Sequence, residues 1–107
     1  MVEPEIVRVL GHDIHIEYVD LSDEDLHGDY DPNTHRIRID KSLTPTLKRL
    51  VIFHELTHVV EDLFAIELTE TDVCIISTAF VAMLADNKEL GNWAFGFPVK
   101  RNSKGVG

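Results

Sequence analysis

The chain carries a single cysteine, Cys74. That excludes an intrachain disulfide and fits a reducing compartment. Cys74 sits in an apolar helical run, where the expectation is a small core residue rather than a nucleophile. Basic residues are also scarce: 10 Lys and Arg stand against 19 Asp and Glu, a formal net charge of −9. Such a balance argues against nucleic acid as a partner. The few basic residues near the end, Lys100-Arg101 and Lys104, read as a solvated tail. No apolar run approaches the ~20 residues that a bilayer-spanning helix needs. The acidic start, Met1-Val-Glu-Pro-Glu-Ile6, has no signal-type apolar segment. A cytoplasmic location with no membrane partner is therefore expected. There is no internal repeat and no low-complexity linker. At 107 residues the chain reads as one domain over residues 1–107, with 1–5 and 100–107 expected to be flexible.

What is present is concentrated in His54-Glu55-Leu56-Thr57-His58. Two imidazoles four residues apart lie on one helix face, one turn apart, and can share a metal ion. Glu55 is about 100° around the helix from His54. It is badly placed as a further ligand and well placed as a base acting on a water. This is the ligand-and-base division of labour of the H-E-x-x-H zinc hydrolases. The surrounding run, Leu47 to Phe64, contains no Gly or Pro and has apolar residues at helical spacing. Both histidines thus fall within or beside an apolar stripe. Buried imidazoles need partners, because unpaired buried polar groups are costly, and one metal supplies both.

The remaining elements follow from local pattern. Ile6–Leu10 and Ile14–Tyr18 read as strands joined by a turn at Gly11-His12-Asp13. Leu21–Leu26 reads as a loop or a short helical turn capped by Ser22. Asp31-Pro32-Asn33 is turn chemistry. It joins the segment ending at Asp31 to Thr34–Asp40 as a hairpin with one wet face, where Ile37 and Ile39 alternate with Arg36 and Arg38. The motif helix is expected to start near Ser42 or Thr44, with Pro45 in its first turn, and to end near Phe64. A second helix, from Glu70 to about Ala85, has Thr69 as N-cap. Val73, Ile76, Phe80, Val81 and Leu84 form its apolar face. Asn87–Gly91 closes it, and the alternating aromatics of Asn92–Pro98 suggest an extended segment across the core. The fold class is α+β: a small antiparallel sheet of three to four strands packed on the motif helix and a second, C-terminal helix.

Catalytic zinc takes three protein ligands plus a water. No His follows His58, so a third ligand downstream must be a carboxylate: Glu61, Asp62, Glu67, Glu70, Asp72, Asp86 or Glu89. Glu61, three residues past His58, can approach the site, but a straight helix rarely wraps three ligands around one ion. Glu70 is favoured and Asp72 is second, because both open a helix that packs back on the first if the connector is tight. An acidic first turn is also favoured by the helix dipole without any metal. His12, His15, His27 and His35 read as strand or turn surface.

The order of hairpin Gly28-Asp-Tyr-Asp31 with Ile37-Arg-Ile39, then His54-Glu55-x-x-His58, then Leu68-Thr-Glu-Thr-Asp-Val73 resembles a known group. It is similar to the small phage and prophage metallopeptidase-like proteins related to the ImmA/IrrE-type zinc peptidase domain, over roughly residues 26–86. The resemblance implies a minimal zincin-like domain. In it His54, His58 and Glu70 hold Zn2+, Glu55 is the catalytic general base, and a peptide or protein is the substrate. Tyr18, Tyr30 or a further His are candidate oxyanion stabilisers, and the hairpin edge at Arg36–Asp40 is a candidate for strand addition by the substrate. The competing expectation is a zinc-stabilised protein-binding module without turnover.

Overall fold

Four isoleucines organise the structure, a computed structural model that describes residues 2–96. Ile14 and Ile16 alternate on one strand, Ile37 and Ile39 on another, and all four are buried. The strands are β1 (Ile6–Val9), β2 (His12–Val19), β3 (Gly28–Asp31) and β4 (Arg36–Asp40). They form one sheet in the order β1-β2-β4-β3. Helix α1 (Pro45–Phe64) lies across the sheet and adds Val51, Ile52 and Val59 to the same core. Helices α2 (Glu70–Asp86) and α3 (Lys88–Phe95) follow. The α+β architecture with four strands is the one expected. No helix among the described residues is long and apolar enough to cross a membrane.

The pairing corrects the expectation of an antiparallel sheet. β1–β2 and β3–β4 are antiparallel, but β2 and β4 run parallel, with Ile16 opposite Ile37 and Tyr18 opposite Ile39. The physical reason lies in β3. Gly-Asp-Tyr-Asp is short and polar, which suits an edge, whereas β4 has two wholly buried isoleucines and takes the inner position. The chain therefore passes beyond β4, runs back as β3, and returns between its neighbours through residues 20–35, long enough for a parallel crossover.

Local chemistry moves several boundaries. The first turn is Leu10-Gly11, both with positive φ (49° and 84°), and β2 already starts at His12. A two-residue turn of this hand matches strand twist, so His12 and Asp13 pair with Val9 and Arg8. Ser22 does not cap its short 3-10 turn; its N–H and hydroxyl both donate to Asp20. Leu21, read as loop, is fully buried.

Helix α1 begins as expected, with Thr44 accepting from the Leu47 N–H and Pro45 in the first turn. It ends at Ala65, which is left-handed (φ 54°). Helix α2 has a full capping box: Thr69 accepts from the Asp72 N–H, and Asp72 accepts from the Thr69 N–H.

Two expectations at the C-terminal side are overturned. Residues 88–95 form helix α3 rather than an extended segment, because Asn87 starts a new turn and the first left-handed stop is Gly96. Trp93 is 83% exposed. Helix α2 buries Val73 and Ser77, while Ile76 and Phe80 stay partly exposed, at 47% and 39%. The sheet is already covered by α1, so α2 packs on α1 instead; the Phe53 and Phe80 rings meet at 5.6 Å. Cys74 is exposed too, not core. The rest of the aromatic run, Phe97 and Pro98, and the tail 100–107 lie outside the described residues. Near the other end, Glu3 pairs with Lys48 at 2.6 Å and Pro4 O accepts from the Tyr18 hydroxyl.

Candidate metal centre

The site is assembled where β3, the C-terminal half of α1 and the first turn of α2 meet. Contact between β3 and α1 depends on Gly28. A Cβ there would lie 2.7 Å from Arg38 O and 2.8 Å from Val51 Cγ1. Only a residue without a side chain lets the edge strand come this close to the helix. The resulting cleft, about 550 Å³, has Tyr30 and Pro32 on one wall and His54, Glu55, His58 and Glu70 on the other. A second arm of about 360 Å³, between Leu26, His27, Cys74 and Thr78, meets it at Gly28, His54 and Glu55.

His54 and His58 project from successive turns of α1, with ring centroids 5.0 Å apart. Glu70 stands immediately after the Thr69 cap. Its Oε2 is 3.2 Å from His54 Nε2 and its Oε1 is 2.9 Å from His58 Nε2. The three side chains offer ligand atoms that all lie within 4.8 Å of one another. Two imidazole nitrogens and one carboxylate form a donor set that suits a catalytic zinc, which keeps a fourth position open. The Glu70 side chain is 69% exposed, so the trio faces the cleft and not the core. The structure thus brings together the three residues read as ligands.

Three of the other candidate carboxylates have partners of their own. Asp72 belongs to the capping box, and Asp62 accepts from the Tyr30 hydroxyl at 3.0 Å. Glu61 takes a part that sequence reasoning missed. Its Oε1 is 2.6 Å from His58 Nδ1, and its Oε2 accepts from the Leu68 N–H at 2.7 Å. With Nδ1 engaged by this carboxylate, Nε2 is the ring nitrogen turned toward Glu70 and available to a metal. The Leu68 N–H, followed by His58, holds the Glu61 carboxyl below its usual range. The signal was available: position i+3 from a ligand on a helix is adjacent to it. His54 Nδ1 has a weaker neighbour, Cys74 Sγ at 3.8 Å.

Glu55 lines the wall shared by the two arms and is only 6% exposed. Burial pushes its carboxyl up to about 7; His58 opposes this, while Asp29 and Glu70 add to it. Of the two tyrosines, Tyr30 lines the cleft, whereas Tyr18 lies across the molecule beside Lys48. Burial and the bond to Asp62 push the Tyr30 phenol up to about 12. Of the upstream histidines, His12 and His35 pair with each other at 5.4 Å, away from the site, and His27 borders the second arm.

Comparison with known proteins agrees with the geometry. Residues 10–70 match the family model of the IrrE N-terminal-like domain, a peptidase family. The match covers strands β2 to β4, the whole of α1 and the connector, and ends on Glu70. No curated protein and no solved structure gives a significant match.

Proposed function

Because the chain belongs to the IrrE N-terminal-like domain family, we propose that it is a zinc-dependent peptidase that hydrolyses peptide bonds with Glu55 as general base. The observation that carries this reading is the convergence of both Nε2 atoms on Glu70, with Glu55 buried in the wall of the same cleft. His54, His58 and Glu70 would hold the zinc, which when bound polarises a carbonyl and acidifies water. Glu55 takes the proton of the attacking water and passes it to the leaving amine. Tyr30, in the facing wall, is placed to donate to the substrate carbonyl oxygen once its hydroxyl leaves Asp62. The extended substrate lies against β3. That strand is an edge of the sheet, whereas β4 is enclosed between β2 and β3. Strand addition there would carry a peptide past Gly28 and Glu55.

The test is Glu55→Gln, with zinc content by elemental analysis and hydrolysis of a mixed peptide library by mass spectrometry. The variant is expected to keep its zinc and lose turnover by at least ~100-fold. Unchanged turnover removes Glu55 from the mechanism. Zinc uptake with no turnover even in the wild type would favour the protein-binding module instead.

A further inference from the structure

We propose that Glu61 is the positioning residue of the metal centre, one carboxylate that locks His58 and the start of the helix carrying Glu70 together. The inference rests on the zinc reading above and deepens it. Each oxygen of Glu61 has its own donor. Oε1 is bonded to His58 Nδ1, which fixes the plane of that ring and turns Nε2 toward Glu70, 2.9 Å away. Oε2 is bonded to the Leu68 N–H, two residues before Glu70 and one before the Thr69 cap. The backbone of the same residue closes α1: Glu61 O accepts from the N–H of Ile66 at 3.0 Å and from that of Ala65. One residue therefore ends the first helix, steers the connector into the second, and orients a ligand from each side of the turn.

Among the described residues no comparable restraint acts on His54 Nδ1, which faces a thiol at 3.8 Å. Thiols are weak hydrogen-bond partners. Alignment of the trio thus depends mainly on Glu61. Outer-shell partners of metal-bound histidines change affinity about 10- to 100-fold when removed. Here the same removal also frees the Glu70 side.

Two variants separate this role from that of a simple connector cap. Glu61→Ala removes both bonds. Glu61→Gln keeps the shape, but its single carbonyl oxygen can accept from only one of the two donors. Zinc affinity is measured by competition with a chromophoric chelator, and the cobalt-substituted absorption spectrum reports ligand geometry. Amide exchange at Leu68 and thermal unfolding are followed in metal-free protein. Expected are a zinc Kd weakened about 10- to 100-fold for Ala and about 10-fold or more for Gln, an altered cobalt spectrum in both, and faster Leu68 exchange in Ala. The metal-free Gln variant should unfold close to the wild type, so its loss of affinity is not a loss of fold. Wild-type affinity in Glu61→Gln overturns the inference and leaves the zinc reading standing. A wild type that takes up no zinc overturns the reading itself.

Discussion

Gly28→Ala tests the packing on which the cleft is built. A new methyl would sit 2.7 Å from Arg38 O, 2.8 Å from Val51 Cγ1 and 3.2 Å from Ile39 Cδ1. Ordinary carbon contacts are about 3.5–4.0 Å, so two of these atoms are nearly 1 Å too close. Arg38 O belongs to the backbone of an inner strand flanked on both sides, and Val51 is packed in the core. Neither can retreat cheaply. Replacing glycine lowers the entropy of the unfolded chain, a gain of about 0.4–1 kcal/mol where the new side chain is free of strain. Overpacking of this kind costs about 1–3 kcal/mol and exceeds that gain. A net loss of about 1–2 kcal/mol corresponds to roughly 4–16 °C in Tm for a domain of this size. Relief has to come from β3 moving off α1, which opens the space between Tyr30 and Glu55. Peptide hydrolysis is therefore expected to fall along with Tm. The assays are thermal and urea unfolding together with turnover. Stability within about 0.3 kcal/mol of the wild type, with activity retained, would refute the claim that β3 needs a residue without a side chain here.

Two further outcomes concern other parts of the frame. Ala65 ends α1 in the left-handed region at φ 54°, which costs a non-glycine residue about 1–2 kcal/mol; Ala65→Gly should raise stability by roughly 1 kcal/mol in urea unfolding, and a loss would show that the terminus is held by its side chain. The Tyr30 phenol, pushed from 10.0 up to about 12, is harder to ionise folded than unfolded. Its contribution is present in full below pH 10 and is lost as pH rises through about 12. Alkaline unfolding curves of the wild type and Tyr30→Phe should converge over that window, and parallel curves would remove Tyr30 from the pH dependence.

Local signals carried much of this structure. Period-two isoleucines located β2 and β4, and the Thr44-Pro45 start located α1. The short connector after α1 put the opening of α2, with Glu70 first and Asp72 second, among the candidate ligands. What depends on distant partners was not legible. Nothing in Gly-Asp-Tyr-Asp says that β4 will slip inside it and pair parallel with β2, since that choice is decided by how much apolar surface each strand buries. The spacing of Trp93 and Phe95 fits a strand as well as it fits alternate faces of a short helix; the stop at Gly96 came too late to tell them apart. The apolar pattern of α2 announced a buried face, yet α1 alone already covers the sheet. Cys74 was misjudged for the same reason. Glu61 lay within reach of reasoning, but weighing it only as a ligand hid its value as a brace.

The exposure of α2 carries its own consequence. Its first turns are anchored by the capping box, by Val73 and by Ser77, while beyond Phe80 none of its residues is fully buried among the described residues. It behaves as a cantilever with the working end at the wall. Bending or fraying at the tip displaces Glu70 least of all, so the chemistry is insulated from whatever happens at the far end of the beam.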